Sequence, residues 1–421
     1  MVDVWLPYGQ TETCLRVQAR NLVGTIEPKQ KLNVSNAESE IERALKQPVD
    51  SKRLGEIAKC GDKVAIVVED FEFWPFHVAV RAILDELRGA GVNDEDIRII
   101  FGYDARGPIS EQEILKRLGG DTTERIKFVF HNPKTTDLAY IGTTTHGTKI
   151  QISRLFADAT VKVLVERLGF HCYAGYRGGG EGVLPGVADE GTIKASHTMI
   201  LNPNAKVGVL EGNPIHNEIM EAAELAKVDF ALNVSLDEKC NVVRAFAGSL
   251  KQCFLEGVRF VDGAYRITID RKADVVVVSP GGHPWDSNLF QACMAIENAI
   301  EAVKRGGVLI LVAECIGGYG NKVFYDWMSK LKELKAVERE IKRNFTLGGH
   351  MAYYLLNALQ KAQIILVSAI PDYYAVNVFR FKTARTANEA LKEALKITGE
   401  NAKVWVIPYG EHTLPEVKAS E

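Results

Sequence analysis

The chain has 421 residues, of which 46% are hydrophobic and 25% are charged. This length and composition are typical of a globular protein of about two domains, and they exclude a mainly disordered chain. The 51 Lys and Arg against 54 Asp and Glu give a net charge of −3, so we expect no basic surface for nucleic acid.

Predicted strands and helices alternate along the chain. The strand candidates are residues 63–68, 97–102, 127–130, 161–165, 230–234, 274–279, 308–312, 364–367 and 403–407. Capping boxes that predict helix starts are Ser110-x-x-Glu113 and Thr386-x-x-Glu389. Several strand candidates are continuous Val- and Ile-rich runs, which is typical of parallel strands covered by helices on both faces. The sequence therefore predicts an α/β fold with mainly parallel sheets flanked by helices.

The clearest helical periodicity covers residues 287–304, with Asp286 as the expected N-cap and Gly306-Gly307 at the end. Gln291 and Met294 lie off the apolar stripe of this helix and are neighbours on its surface. A methionine is unusual on a solvated face. We therefore expect both side chains to line a cleft.

No repeat or low-complexity linker divides the chain. A second strand–helix alternation begins after residues 263–271, so we predict an N-terminal domain over 1–265 and a C-terminal α/β domain over 266–421. The prediction leaves open whether about the last 15 residues pack back on the N-terminal domain.

The seven cysteines are scattered and form no Cys-x-x-Cys, which indicates reduced thiols rather than a thiolate zinc site. The chain does not begin with a basic segment followed by an apolar stretch, and its longest apolar runs fall far short of the ~20 residues of a membrane span. We therefore expect a cytoplasmic protein without a membrane partner. The sequence leaves the oligomeric state open.

The most unusual segment is 171–186, which reads His-Cys-Tyr-Ala-Gly-Tyr-Arg-Gly-Gly-Gly-Glu-Gly-Val-Leu-Pro-Gly. Its six glycines in twelve residues are costly in backbone entropy, so the loop must need positive φ angles or a close approach to something. The sequence favours a loop whose backbone N–H groups hold an anion or a cofactor phosphate over a merely solvated loop.

Two histidines flank this segment. His171 begins it, and His197 follows 26 residues later, too far along the chain for one helix face. Spacing alone does not join them at a metal, and either could be a satisfied core residue. The sequence contains none of three common motifs, which are the Walker A motif, Gly-x-Gly-x-x-Gly after a strand, and His-Glu-x-x-His.

A family resemblance joins these features. The pattern His171…Gly-Tyr-x-Gly-Gly…Leu-Pro-Gly…His197, followed by Gly-Gly-x-Pro-x-Asp-x-Asn-Leu-Phe-Gln-Ala at 281–292, resembles the lactate racemases that use a nickel-pincer nucleotide. The resemblance implies two α/β domains with the active site in the cleft between them. It also implies hydride shuttling between the cofactor ring and C2 of a 2-hydroxy acid, with a histidine removing the hydroxyl proton.

The resemblance assigns roles to individual residues. His171 corresponds to a catalytic histidine and His197 to the nickel ligand, for which a neutral imidazole is suitable. Asp70 corresponds to an acidic residue near the substrate, and Gln291 to a polar residue lining the cleft. The resemblance also assigns five residues of the glycine-rich loop to cofactor binding, namely Gly178, Gly179, Glu181, Gly182 and Pro185.

The chain departs from the family pattern at several positions. Glu181 stands where the family has the lysine that links covalently to the cofactor, so any cofactor here is not linked through a Lys. Phe73 replaces the arginine that pairs with the substrate carboxylate, and Met294 replaces a second lysine.

The second catalytic histidine of the family is also missing, because the matching segment 102–110 holds no histidine. Asp104 or Arg106 occupies that region. Arg106 or Arg177 could supply a replacement positive charge for the substrate.

These observations predict a racemase or epimerase of a 2-hydroxy acid other than plain lactate, with His171 and Asp104 as its catalytic pair. Aromatic residues near Phe73 would offer the substrate an apolar surface. Two alternatives remain open: a nickel-independent acid/base enzyme of the same fold that uses Glu181, and a non-catalytic homologue that binds a small acid or a nucleotide.

Overall fold

The computed structural model describes residues 1–29, 36–69, 71, 73–105 and 108–418. The strands are β1 Val2–Tyr8, β2 Thr11–Val17, β3 Leu22–Thr25, β4 Val64–Val68, β5 Ile97–Phe101, β6 Lys127–Phe130, β7 Leu138–Thr143, β8 Lys149–Ser153, β9 Val161–His171, β10 Gly175–Arg177, β11 Phe230–Leu236, β12 Val242–Gly248, β13 Arg266–Ile269, β14 Ala273–Val278, β15 Val303–Val312, β16 Gln363–Val367, β17 Lys382–Thr383, β18 Val404–Ile407 and β19 Leu414–Val417.

The helices are α1 Ala37–Lys46, α2 Leu54–Ile57, α3 Phe76–Gly89, α4 Glu111–Leu118, α5 Gly120–Arg125, α6 Arg154–Ala157, α7 Glu190–His197, α8 Pro214–Leu225, α9 Leu250–Tyr265, α10 Leu289–Ala299, α11 Lys322–Lys330, α12 Leu334–Asn344, α13 His350–Lys361, α14 Asp372–Asn377 and α15 Ala387–Thr398. No helix in the described ranges is both long enough and apolar enough to cross a membrane.

The chain forms two compact units. We call Leu32–Val261 the site unit, and Met1–Lys31 together with Asp262–Glu421 the terminal unit. The predicted α/β class with mainly parallel sheets is confirmed in both.

The main sheet of the site unit has the strand order β12-β11-β9-β4-β5-β6. Its strands are parallel except β12, which pairs antiparallel with β11, and the short β10 returns antiparallel along the end of β9. The five residues of β4, Val-Ala-Ile-Val-Val, are all buried, as expected for a strand that is covered on both faces.

The main sheet of the terminal unit is parallel throughout and has the order β17-β16-β15-β14-β18-β3. The hairpin β1–β2 lies beside it. Leu6 and Leu15 of the hairpin are fully buried in one apolar cluster with Val275 of β14 and Val404 of β18.

This packing corrects the prediction that the N-terminal domain begins at residue 1, whereas the observed boundary after Val261 lies four residues before the predicted division at 265/266. The first 31 residues belong with the C-terminal part of the chain, because β3 is an edge strand of its sheet and the hairpin fills its core. The end of the chain is also in the terminal unit, since β19 pairs in parallel with β13. A four-residue edge strand gives too little pattern to be found from sequence.

The helix predicted over 287–304 is shorter than expected. It begins at Leu289, with Asn288 rather than Asp286 as its N-cap, and ends at Ala299. Asp286 instead accepts hydrogen bonds from the backbone N–H groups of Gly9 and Glu314. The pair Gly306-Gly307 lies within β15, so it does not end the helix.

Replacing Leu15 with Ala is expected to lower the free energy of unfolding by about 2–5 kcal/mol, because it opens a cavity in the core of the terminal unit. Trp5→Ala in the facing strand is the control, since Trp5 is 57% exposed and should change stability by less than about 1 kcal/mol. Denaturation in guanidinium chloride measures both. Equal losses of stability in Leu15→Ala and Trp5→Ala would contradict the assignment of the hairpin to this core.

Candidate active site

The glycine-rich segment begins where β9 ends. His171 is the last residue of this strand, and the chain turns back at once, so that Gly175 in β10 pairs with His171. The loop that follows leads into α7, whose last residue is His197. Both histidines therefore lie in the site unit, on elements joined directly by the loop.

The glycines of this loop are required by close packing. Gly178, Gly179 and Gly180 have φ angles of +87°, +64° and +116°, which L side chains rarely adopt. A Cβ at Gly179 would lie 2.7 Å from ring carbons of Phe254, and one at Gly180 would lie 2.9 Å from Ala223 Cβ. The predicted need for positive φ angles and close approach is therefore confirmed, with the protein's own core as the neighbour.

The backbone N–H groups of the loop donate to the chain's own side chains. Glu166 of β9 accepts from Gly180 at 3.2 Å and from Gly182 at 2.5 Å. Gly178 donates to Glu181 at 3.2 Å, and Gly179 donates to Asn233 Oδ1 at the same distance. The loop N–H groups of Gly178, Gly179, Gly180 and Gly182 thus donate to side chains of the chain itself. The role of this loop in cofactor binding stays a prediction.

Two carboxyls here have raised pKa values. Burial raises the pKa of Glu166 to about 7, although the two glycine N–H groups oppose the shift. Burial likewise raises the pKa of Glu181 to about 8. Arg177 opposes this shift, whereas the charges of Glu69 and Glu166 add to it. Glu181 is therefore mainly protonated at neutral pH.

Glu69 has its own cation. The guanidinium of Arg167 donates to Glu69 Oε1 from Nε at 3.0 Å and from Nη2 at 2.7 Å, and the Arg167 backbone N–H donates to the other oxygen. The same guanidinium lies 3.8 Å from the ring centroid of Phe71. Arg167 is thus engaged with Glu69, and the positive charge that acts on Glu181 is that of Arg177.

The backbone fixes the tautomer of His171. The N–H groups of Tyr173 and Ala174 donate to its Nδ1 at 3.4 and 3.2 Å, so Nδ1 carries a lone pair and the neutral ring has its proton on Nε2. Nε2 lies 3.7 Å from Glu181 Oε1. The imidazole therefore presents an N–H to the carboxyl of Glu181.

His197 has the opposite tautomer. The hydroxyl of Ser196 donates to the carbonyl of Ile193, so its oxygen accepts from His197 Nδ1 at 2.8 Å. The lone pair is left on Nε2. Burial lowers the pKa of His197 to about 4, which keeps the ring neutral. A neutral imidazole whose second N–H is held by the protein is the form that binds transition metals.

Tyr173 connects the two histidines. Its ring centroid lies 4.2 Å from that of His171 and 5.3 Å from that of His197. Burial raises the pKa of Tyr173 well above its usual value, with smaller contributions from nearby charges that include Glu181 and Asp104. Sequence reasoning missed Tyr173 as a site residue.

Comparison with known proteins gives the family of the chain. The Lactate racemase N-terminal domain matches residues 8–208, and the Lactate racemase C-terminal domain matches residues 269–414. The chain is 32% identical to the lactate racemase of Thermoanaerobacterium thermosaccharolyticum, over 97% of this chain and 98% of the relative. It belongs to the lactate racemase family.

A second lactate racemase and a solved structure agree with this assignment. The lactate racemase of Lactiplantibacillus plantarum is 29% identical over 97% of this chain and 99% of its own length. The lactate racemase apoprotein structure from T. thermosaccharolyticum has a TM-score of 0.89, covers 99% of this chain and 100% of its own, and is 30% identical. A Thermotoga maritima protein, with a TM-score of 0.68, coverage of 90% and 98%, and 19% identity, shares the fold.

The site residues fit a nickel cofactor of the lactate racemase family in one respect and not in another. His197 offers a neutral imidazole with its lone pair on Nε2, which suits the metal. Among the described residues, no three His, Cys, Asp or Glu side chains converge into a metal-binding group, so most other ligands would have to come from the cofactor itself. Glu181 cannot form the amine-derived link of a lysine.

The remaining predicted residues have varied positions. Asp104 and Arg177 both act electrostatically on Tyr173, so both lie near the site. The ring of Phe73 contacts that of Phe71, with centroids 5.7 Å apart. Pro185 lies in the loop, and its carbonyl accepts from the N–H of Ala188. Asp70 and Arg106 lie outside the described residues.

Gln291 and Met294 lie on α10 of the terminal unit. The Gln291 side chain accepts a hydrogen bond from Asn288 at 3.0 Å, and Met294 is 4% exposed. Their role as cleft residues stays a prediction. Glu166 was missed in the sequence, although a glutamate that directly follows the strand candidate 161–165 is a signal that could have found it.

The free energy of unfolding is expected to fall as the pH rises from about 6.5 to 8, above the range in which His197 and His216, neutral when folded, contribute the opposite slope. In the unfolded chain Glu166, Glu181 and Glu297 of α10 ionise near 4.5, whereas in the folded chain they retain their protons up to about 7, about 8 and about 8. Folding therefore takes up protons in this range, and each carboxyl lowers the free energy of unfolding by up to about 1.4 kcal/mol per pH unit. Chemical denaturation at several pH values measures the slope.

Glu181→Gln should flatten this pH dependence, because it removes one of the three carboxyls that folding keeps protonated, Glu166, Glu181 and Glu297. Glu111→Gln, which changes an exposed carboxyl on α4, serves as the matched control and should leave the slope unchanged. An unaltered slope in Glu181→Gln would show that Glu181 ionises equally in the folded and unfolded chains.

Proposed function

We propose that this chain is a racemase or epimerase that inverts C2 of a 2-hydroxy acid larger and less polar than lactate. The observation that carries the proposal is the contact between His171 Nε2 and Glu181 Oε1 at 3.7 Å, beside a second, neutral histidine. Membership of the lactate racemase family supports the reaction class.

The cofactor that the family resemblance implies is a nickel-pincer nucleotide, which supplies an acceptor for the C2 hydrogen when it is bound. His197 would ligate the metal through Nε2, and Ser196 would fix the imidazole by accepting from Nδ1. Because Glu181 stands in place of a linking lysine, the nucleotide would be held non-covalently.

His171 and Glu181 would move the hydroxyl proton of the substrate together. Glu181, whose pKa is about 8, is a strong enough base to accept this proton once it is ionised. The Nε2–H of His171 would donate to the oxygen that loses the proton and stabilise its developing charge. Inversion returns the same proton, so the pair acts as base and then as acid.

The proposed substrate preference follows from side chains that differ from the family pattern described above. Phe73 cannot form the bidentate ion pair with a carboxylate that an arginine forms, so the substrate would rely on an apolar contact instead. Arg177, whose charge acts on Glu181, is the cation best placed to attract the acid group. Asp104 would serve the opposite face of the substrate carbon.

Protein made in cells that synthesise the cofactor is expected to invert a 2-hydroxy acid with a bulky apolar side chain faster than lactate. Chiral chromatography of a hydroxy-acid panel measures this. With substrate deuterated at C2, the inverted product should retain the deuterium, because the hydrogen leaves and returns without meeting solvent. His171→Asn should lower kcat by about 10²- to 10⁴-fold, whereas the exposed His146→Asn should not.

A preference for lactate, or equal losses in His171→Asn and His146→Asn, would contradict this proposal. Loss of deuterium to solvent would instead favour a second candidate, which is nickel-independent proton abstraction at the carbon next to the carboxylate. The raised pKa of Glu181 favours that candidate, since it places a carboxyl base in the range that such chemistry needs. Only this second reaction would persist in nickel-free preparations.

Nickel binding has a separate readout. His197→Ala is expected to reduce the nickel content of protein purified from cofactor-producing cells by at least about tenfold, as measured by mass spectrometry of the metal. His216→Ala is the matched control, because burial lowers the pKa of His216 to about 4 as well, and it contacts Phe254 instead of the site tyrosine. Equal nickel contents in both variants would exclude His197 as the ligand.

A further inference from the structure

A cavity lies entirely within the terminal unit. It has a volume of about 870 Å³. Its lining includes the first residues of β16, β17 and α12, which are Gln363, Lys382 and Leu334. This volume is in the range of small-molecule sites. The cavity is at the amino edge of the parallel sheet, so it is distinct from the carboxyl-edge crevice in which such sheets usually bind ligands.

The cavity has an excess of positive charge. Lys332, Lys335, Arg380 and Lys382 line it, together with only two carboxylates, Glu333 and Glu338. Within the part of the chain that the structure describes, none of these four cations forms an ion pair within 4.0 Å. Cations gathered in a concave site without carboxylate partners favour an anionic ligand.

Two backbone carbonyls hold the side chain of Arg380 at the cavity. Its Nη2 donates to the carbonyls of Met328 and Leu331 at the end of α11, both at 3.4 Å. Neither Nε nor Nη1 donates to another described residue, so most of the guanidinium's donors remain for a ligand. Partial burial lowers the pKa of Arg380, and its φ of +63° is in the left-handed region. Strain of this kind often accompanies binding sites.

The start of α12 adds donors of a second kind. The side chain of its N-cap residue, Glu333, does not cap the helix, and the first helical residues, Leu334 and Lys335, line the cavity. Helix N-termini of this kind favour phosphate oxygens. Leu356, Leu359 and Ile364 supply an apolar wall that a bare inorganic anion would not use.

We propose that this cavity binds a phosphorylated organic molecule of the nucleoside diphosphate class. Arg380 and Lys382 contact its phosphates, Lys332, Lys335 and the α12 terminus complete the anion site, and the apolar wall contacts its organic part. Nothing in the hydroxy-acid reaction requires this ligand, so the site would act as an additional binding site and not as part of the isomerase centre.

Isothermal titration of the full chain with ADP tests the proposal, with inorganic diphosphate and adenosine as partial probes. We expect ADP to bind, diphosphate to bind more weakly, and adenosine to bind least. The double variant Arg380→Gln/Lys382→Gln should weaken ADP binding by about tenfold or more, because two charged contacts to phosphate are lost.

The control is Lys342→Gln/Arg343→Gln, which removes two positive charges from the other end of α12 and should leave ADP affinity unchanged. Thermal unfolding of each variant checks that it is folded. Absence of ADP binding would overturn the proposal, and so would an unchanged affinity in the Arg380 variant, because ADP would then be bound elsewhere. Diphosphate binding as tight as that of ADP would overturn the role of the apolar wall.

Discussion

The site depends on one hydrogen-bonded side chain, the buried carboxyl of Glu166. Glu166, at an interior position of the main sheet, accepts the N–H groups of Gly180 and Gly182 and thereby ties the glycine-rich loop to β9. Glu181 lies between the two anchored glycines, so its position beside His171 follows from this attachment. The glycines are needed because the loop passes so close to Phe254 and Ala223 that no Cβ can be accommodated.

The same anchor gives the site its electrostatic character. Glu166 and Glu181 share a buried region with Glu69, and the Arg167 guanidinium is engaged with Glu69. Burial raises the pKa of Glu166 to about 7 and that of Glu181 to about 8, and the charge of Glu69 adds to both shifts. Glu181 is thus an acid that can exchange a proton near neutral pH. A carboxyl at this position cannot form an amine-derived link to a cofactor, but it can serve as a base.

The sequence predicted the features that depend on local pattern. Continuous Val and Ile runs located β4, β14 and β15, and the motif around His171 and His197 identified the family. Features set by distant partners were not predictable. The assignment of the first 31 residues required knowing that β3 pairs with β18, and the role of the loop N–H groups required knowing where Glu166 lies. Histidine tautomers depend on neighbours such as Ser196 and the backbone at Ala174, which sequence spacing does not describe.

The central claim is that the loop holds a protonated carboxyl against the imidazole of His171. Infrared difference spectroscopy between the wild type and Glu181→Gln tests it directly, because a protonated carboxyl has a C=O stretching band that a carboxylate lacks. The account predicts that this band is present at pH 6 and is lost with a midpoint of about 8. A spectrum in which Glu181 is already ionised at pH 6 would contradict it.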